Sequence, residues 1–394
     1  MIVNLNTPEQ GHRQPRGPAR REKSNAKIAR AGATIRLGVF IALAFGCLDV
    51  AALAQAGTAT SATVSKPVSR SFNFSYVVKL DSPGNARRLH VRVPLPDTDQ
   101  FQTISQLELK APGKIHVRES SKYGDRYAYF TVSPSRVKVP VEIRLTFHVV
   151  RFERRTDLTS SVSVPAPLPK GVEPFLQPDS LVPIDGVIGS LSHEQTEGLI
   201  DPLEKARKIF EYVLSTMDCG QVGSGWEQGD AVWAFTEHHG NCSDFDSLFI
   251  AMARAAGIPA RFETGFSFPD QQKLGSILGY HSWAEFFVNG LGWIPLDAAE
   301  ARQELKRGGY FFGAIDANRV MFSMGRDVPV VPVPQAGRLN YLVYPYVEVD
   351  GKPYSDYSID VFFRETGISS STPPKRPIFA EGHFQSRRLL HFPS

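Results

Sequence analysis

The chain has 394 residues, 42% hydrophobic and 21% charged, which excludes a globally disordered protein and gives enough apolar material for two packed domains. Its formal net charge of +4 is unevenly distributed, because residues 1–36 hold eight Lys or Arg side chains and two Glu side chains. The rest of the chain therefore carries a net charge of about −2, which gives no electrostatic case for binding nucleic acid.

The basic start runs into an apolar segment, residues 37–47, and then into the small-residue sequence at 52–54. This order is typical of a secretory signal peptide, so we expect residues 1–54 to be removed and the protein to be periplasmic or secreted. A membrane anchor is the alternative, but the run is short for a spanning helix and Asp49 interrupts it, so no stable membrane insertion is expected after cleavage. A start codon downstream of the first methionine and lipidation of Cys47 stay open.

Residues 55–70 are rich in Gly, Ala, Ser and Thr, which predicts a flexible spacer. Residues 71–155 then show repeated alternation of apolar and polar residues between turn sequences, which predicts an all-β sandwich of six or seven short strands. The alternating apolar residues are Phe72, Phe74, Tyr76, Leu89, Val91, Val93, Tyr127, Tyr129, Val141, Ile143, Leu145, Phe147 and Val149. No catalytic set occurs here, so we expect a structural or substrate-positioning module.

A Pro-rich linker at residues 156–190 separates this module from a second domain, predicted at residues 191–365. The second domain begins with a helix that Asp201 caps and Pro202 opens. Residues 366–394 are rich in Ser, Thr, Pro, Lys and Arg, which predicts a disordered tail.

A helix capped by Asn241 and ended near Gly257 is the centre of the second domain. Its apolar residues recur at helical spacing, so one face is expected in the core, with Ser243, Asp246 and Arg254 outside. The helix at Asp201 is expected to pack behind it. Cys242 occupies the first helical position, where free N–H groups and the helix dipole favour a thiolate. The alternative is that Cys242 is simply a small buried residue.

A β-hairpin is predicted from residue 279 to residue 297, with turn chemistry around Asn289. His281 lies on the first strand, and Asp297 ends the second. Asp297 reaches the His281 face if the loop has an odd length, for example three residues with Val288 paired to Gly292. A helix-borne cysteine, a strand-borne histidine and an aspartate on the next strand suit nucleophilic thiol catalysis.

These residues resemble the motif blocks of the bacterial transglutaminase-like superfamily, and three blocks occur in the right order. The blocks are Gly240–Phe245 with Gly257–Phe262 behind it, Gly279–Phe286, and Gly292–Ala298. The resemblance extends less sharply to residues 309–313 and 316–319. It implies a papain-like α+β core in which Cys242, His281 and Asp297 form the catalytic triad, and the strand-rich segment ahead of it resembles the N-terminal β-sandwich of that family.

Three aromatic residues are candidates for the oxyanion site or the cleft. Trp226 lies in a Gly-rich loop that we expect to approach the thiol, with a tryptophan packed under the loop as the alternative. Tyr280 and Trp283 flank the histidine, where they wall a groove or only cover the sheet. Glu285 is expected to be a solvated strand carboxylate. Adjacent His238 and His239 do not suit a metal site, because no second ligand pair accompanies them.

The chemistry expected of such a triad is attack of a thiolate on an amide carbonyl of a protein or peptide, giving an acyl-enzyme. Hydrolysis is favoured in an exported enzyme, and cross-linking of Gln to an amine is the alternative. A non-catalytic scaffold, or an accessory factor with an envelope partner protein, is the competing class. No cofactor or metal is expected, since no EF-hand-like acidic loop for calcium occurs. A disulfide between Cys219 and Cys242 would block the nucleophile.

Overall fold

A computed structural model of the chain describes residues 68–81, 88–133, 140–160 and 167–370. The predicted signal peptide, most of the predicted spacer and residues 371–394 lie outside these ranges. The strands are β1 (Val68–Leu80), β2 (Leu89–Leu95), β3 (Gln102–Lys110), β4 (His116–Glu119), β5 (Arg126–Val132), β6 (Val141–Phe152), β7 (Arg154–Arg155), β8 (Asp218–Cys219), β9 (His239–Gly240), β10 (Ala260–Ser267), β11 (Leu274–Ile277), β12 (His281–Val288), β13 (Gly292–Leu296), β14 (Ala314–Ile315), β15 (Arg319–Met324), β16 (Tyr346–Val349), β17 (Lys352–Pro353) and β18 (Tyr357–Ser370). The α-helices are α1 (Gly186–Thr196), α2 (Pro202–Thr216), α3 (Ala231–Glu237), α4 (Cys242–Ala255) and α5 (Ala298–Gln303).

Two five-stranded sheets form the predicted β-sandwich, with strand orders β11-β18-β1-β6-β3 and β17-β16-β2-β5-β4. Alternation explains their packing, because successive side chains of a strand point to opposite faces. In β6, for example, Val141, Ile143 and Leu145 are buried, whereas Glu142 and Arg144 between them are exposed. The inward residues of both sheets belong to one continuous hydrophobic core.

The sandwich is not built from one contiguous segment, which corrects the predicted domain boundaries. Strand β18 pairs with β1 along its whole length and continues to Ser370, so the tail predicted from residue 366 begins with part of a strand. Strand β1 likewise starts at Val68, inside the predicted spacer. Backbone pairing does not depend on side-chain polarity, and the polar composition of the last residues of β18 therefore hid this strand.

The predicted linker at residues 156–190 also contains regular structure. Short 3₁₀ helices occupy Leu158–Ser160 and Glu173–Leu176, and α1 begins at Gly186. A helix that opens with Gly has a weak sequence signal, since Gly has low helix propensity. Among the described residues, no helix combines the length and apolar character needed to span a membrane.

The second domain packs helices around α4 against an antiparallel sheet of order β13-β12-β10-β15. Helices α1, α2, α3 and α5 all contact α4, which confirms the predicted position of α2 behind the cysteine helix. The α+β class, with a papain-like core and a β-sandwich, is also confirmed.

The prediction that α4 keeps one polar face in solvent is wrong. Every residue from Cys242 to Arg254 is buried, including Ser243, Asp246 and Arg254. Each polar side chain has an internal partner instead: Ser243 donates to Asn241, Asp246 accepts from Ser282, and Arg254 forms an ion pair with Asp179. Helical periodicity alone could not reveal this, because the neighbouring elements surround the helix.

Candidate active site

Helix α4 presents Cys242 at its first position. Asn241 caps it as predicted: its side-chain oxygen accepts from the Ser243 N–H at 3.0 Å, and the Asp244 carboxylate accepts from the Asn241 N–H at 2.9 Å. Gly240 precedes the cap because a Cβ there would lie 2.5 Å from the Asp244 Cβ. The N–H of Cys242 has no acceptor among the described residues, so this donor stays available to a ligand.

His281 and Asp297 meet across the predicted hairpin. Val288 pairs with Gly292, which confirms the three-residue loop proposed from the sequence. Asp297 follows β13 directly and caps α5, since one carboxylate oxygen accepts from the Glu300 N–H at 2.9 Å. The other oxygen lies 2.7 Å from His281 Nε2. The imidazole therefore has Nδ1 left for the sulfur.

Electrostatics tie the three side chains together. Burial lowers the pKa of His281, but the charge and hydrogen bond of Asp297 and a hydrogen bond with Cys242 outweigh it, so this pKa lies well above its usual value. Burial raises the pKa of Asp297, whereas His281, Arg319 and the Glu300 N–H hold it at about 2. Cys242 and His281 each keep 9% of their surface exposed, so a ligand can reach them.

Arg319, at the start of β15, is a site residue that sequence reasoning missed. Its guanidinium is fully buried and donates to Asp297 at 2.8 Å and to Glu300 at 2.7 Å. Asp316 lies 3.3 Å away as a third carboxylate. The imidazole, the carboxylate and the guanidinium are therefore joined by hydrogen bonds. The only sequence signal was the weaker resemblance at residues 316–319, which carried no role for the arginine.

Comparison with known proteins agrees with this geometry. Residues 189–298 match the family model described as the transglutaminase-like superfamily. The chain contains a transglutaminase-like domain. A Haemophilus influenzae protein described as uncharacterized is 26% identical over 326 residues, which cover 73% of this chain and 88% of that protein.

A solved structure shows the same fold. The chain superimposes on a candidate cysteine protease from Cytophaga hutchinsonii with a TM-score of 0.53 and 18% identity, covering 80% of this chain and 95% of that one. The periplasmic domain of TgpA from Pseudomonas aeruginosa gives a TM-score of only 0.29, too low to support an argument, with 16% identity over 57% of this chain and 89% of that one. Together with the family match, the common fold supports a thiol-dependent enzyme in general terms.

Trp283 supports the transglutaminase-like site from inside and does not line a groove. It has no exposed surface, and its indole N–H donates to the Glu263 carboxylate. The guanidinium of Arg319 lies 4.9 Å from its ring centroid, and the His281 ring lies 6.1 Å away. The cleft role predicted for Trp283 is therefore wrong. Trp283 does share a strand face with His281, but at its position that face is buried in the core.

Tyr280 lies between the thiol helix and two further tyrosines. Its hydroxyl accepts from the Asn241 amide at 3.3 Å, and its ring stacks on Tyr341 at 5.3 Å. Its backbone N–H donates to the Tyr344 hydroxyl at 2.9 Å. Tyr280 is 8% exposed, so it supports the side of the site and offers little surface to a ligand.

The Gly-rich loop with Trp226 lies against the start of α4, as expected. The N–H groups of Glu227 and Gly229 donate to the Asp244 carboxylate at 3.1 and 2.8 Å. Trp226 itself is half-buried in this turn of the transglutaminase-like domain.

Glu285 is not a solvated carboxylate, which corrects the prediction. It is fully buried and forms ion pairs with Arg154, in the short strand β7, and with Arg261. A strand carboxylate of this kind is expected in water when only its own sheet is considered. Here one of the two arginines comes from β7, which follows the sandwich strand β6 and pairs with β14.

One group of side chains among the described residues has the spacing of metal ligands. The ligand atoms of His281, Asp297 and Glu300 lie within 4.8 Å of one another. Arg319 donates to both carboxylates, however, so a guanidinium already supplies the positive charge there. His238 and His239 belong to no such group within the described residues.

Proposed function

We propose that the protein is an exported thiol-dependent acyl-transfer enzyme that hydrolyses amide bonds in protein or peptide substrates. The observation that carries this proposal is the hydrogen-bonded series of His281, Asp297 and Arg319, with the Cys242 thiol close enough to raise the pKa of the imidazole. A buried small cysteine with a purely structural role requires none of these contacts.

In the proposed mechanism, the Cys242 thiolate attacks the amide carbonyl and the imidazolium of His281 protonates the departing amine. The raised pKa of His281 supports this, because it keeps the ring protonated beside the thiolate until the leaving group needs the proton. Asp297 holds the Nε2–H, so the other nitrogen faces the sulfur. Water then attacks the acyl-enzyme, with the neutral imidazole as base.

The oxyanion of the tetrahedral intermediate needs hydrogen-bond donors near the sulfur. The unpaired Cys242 N–H at the start of α4 suits this role, and the helix dipole adds to it. The indole N–H of Trp226 is proposed as the second donor, because its loop is held against the same helix turn. Transfer to an amine would give cross-linking instead of hydrolysis.

Alkylation across pH tests the proposed thiolate. At pH 6, iodoacetamide is expected to modify Cys242 about 10²-fold faster than Cys219, because an imidazolium-paired thiolate persists where an ordinary thiol is protonated. Cys219 is a built-in reference, since burial raises its pKa. Peptide mass spectrometry after timed quenching gives both rates.

Two results decide between an enzyme and a scaffold. Trapping of an acyl group on Cys242 by acid quench, with none in Cys242→Ala, is expected for the enzyme, and the mass of that group names the donor. Equal alkylation rates at Cys242 and Cys219 throughout the pH range would favour a non-catalytic scaffold.

Export is proposed from residues 1–54, which lie outside the described residues. Expression in a bacterial host is expected to give envelope or medium protein whose amino terminus is Gln55, as determined by mass spectrometry. Recovery of the uncleaved chain from the cytoplasm alone would contradict export.

A further inference from the structure

Glu227, in the loop that packs against the first turn of α4, has a backbone conformation that glutamate rarely adopts. Its φ is +67°, in the left-handed region where glycine is the favoured residue. The turn cannot relax, because the Tyr341 hydroxyl donates to the Glu227 carbonyl at 3.1 Å and Arg326 donates to the Gln228 and Gly229 carbonyls. A non-glycine residue held in this way is strained, and such strain is typical of functional positions.

The carboxylate of Glu227 has no hydrogen bond or ion pair with any residue that the structure describes. It is half-buried, and burial followed by the charge of Asp244 raises its pKa to about 7. A cation bound next to Glu227 would relieve this cost by stabilising the ionised form.

Two tyrosines connect Glu227 with the start of the thiol helix, because Tyr341 donates to the Glu227 carbonyl and Tyr280, which stacks on Tyr341, accepts from the Asn241 amide. Burial raises the pKa of Tyr280, Tyr341 and Tyr344, and the charges of both Glu227 and Cys242 raise each of them further. The three rings pack together, with Tyr280 centred 5.3 Å from Tyr341 and 5.6 Å from Tyr344. Glu227 therefore lies at the edge of this tyrosine cluster, at the start of the helix that bears Cys242.

A carboxylate among aromatic rings is the chemistry that recognises an organic ammonium ion. We propose that Glu227 is a specificity-determining residue that binds a primary ammonium group of the molecule the Cys242 thiol attacks. The substrate class is thus an amine-bearing peptide or amide. This inference rests on the proposed acyl-transfer function and names the substrate for the same site.

Thiol reagents of matched shape and different charge test the proposal without a known substrate. Each methanethiosulfonate is attacked at sulfur by the Cys242 thiolate, forms a mixed disulfide and releases methanesulfinate. The 2-aminoethyl reagent carries a primary ammonium, the methyl reagent is neutral, and the 2-sulfonatoethyl reagent is anionic. For each charged reagent, the rate with Cys242 is divided by the rate of the neutral reagent, and the same ratio is measured for free cysteine. The ratio for the ammonium reagent is expected to be about tenfold higher for Cys242 than for free cysteine, and the ratio for the anionic reagent is expected to be lower.

Two variants of Glu227 and one control locate the effect. Glu227→Gln is expected to bring the ratio of the ammonium rate to the neutral rate to the value for free cysteine. Glu227→Gly is expected to lose the preference equally while Tm stays equal or rises, since glycine relieves the left-handed backbone. Glu204→Gln removes the same charge from the exposed side of α2 and is expected to keep the preference.

Each remaining outcome counts against a stated claim. A reactive Cys242 with no charge preference in the wild type, or a preference that survives Glu227→Gln, overturns the ammonium site alone. A lower Tm for Glu227→Gly shows that the carboxylate is structural and also overturns it. A Cys242 that reacts with the neutral reagent no faster than free cysteine at pH 6 contradicts the proposed function itself.

Discussion

Asp297→Asn is expected to slow acylation of Cys242 by about 10²-fold at neutral pH. One oxygen of Asp297 accepts from both His281 and Arg319, and the other accepts from the Glu300 N–H. Asparagine can retain the bond to Glu300 only by turning its NH₂ group toward His281, which favours the wrong tautomer. The burst of p-nitrophenolate from p-nitrophenyl acetate measures the acylation rate.

The pH dependence of this variant identifies the cause. The pKa of His281 is raised mainly by Asp297, against the opposing effect of burial, so it falls when the carboxylate becomes an amide. The imidazolium is then lost at a lower pH, and with it the paired thiolate. The rate deficit is therefore expected to be largest near pH 6–7 and to shrink at higher pH, where the wild type loses its imidazolium as well.

Asp316→Asn is the matched control for Asp297→Asn. Asp316 contacts the same arginine at 3.3 Å but makes no contact with the imidazole. It is expected to keep at least a third of the wild-type rate, since the histidine keeps its carboxylate. If Asp297→Asn retained as much, Asp297 would have no part in preparing the thiolate.

Arg319→Met is expected to lower the free energy of unfolding by about 3–5 kcal/mol at pH 7. The guanidinium pairs with Asp297, Glu300 and Asp316, and it is fully buried. Methionine keeps part of the packing against Trp283 but removes the buried positive charge that the three carboxylates share. Urea unfolding monitored by tryptophan fluorescence gives the free energy.

The effect of Arg319→Met is expected to decrease between pH 7 and pH 5. Arg319 lowers the pKa of both Asp297 and Glu300 against the opposing effect of burial, so its removal raises both values. Protonation at lower pH then relieves the uncompensated charge. Arg144→Met, which removes an exposed ion pair with Glu142, is the control and is expected to change stability little. A similar small loss for Arg319→Met would show that Arg319 is not the main counter-charge of the site.

Local sequence signals were enough to predict the core of the site. The cap at Asn241 placed Cys242 at the first helical position, and the pairing of Val288 with Gly292 was one of the arrangements that would bring Asp297 to the His281 face. Both signals act within a few residues, so neighbouring types determine the geometry. The motif blocks then indicated which three side chains belong together.

Features that depend on distant parts of the chain could not be predicted in this way. Asp246 and Trp283 are buried because surrounding elements cover them on every side, which no periodicity reports. Arg319 contacts Asp297 because of the strand order of the sheet, in which two strands lie between β15 and β13. An ion pair of this kind leaves no local pattern, since an isolated Arg is most often a surface residue.

The pairing of β1 with β18 has a consequence for how the molecule is made. Arg70 and Glu365 form an ion pair across these strands although 295 residues separate them in sequence. Such a high contact order slows folding, because the entropy of closing a large loop is lost before the strand pairing can stabilise the chain. The sandwich sheet also cannot be completed during synthesis until the enzyme segment has emerged. Neither half is therefore expected to be obtained as a stable fragment by cutting the gene between residues 155 and 191.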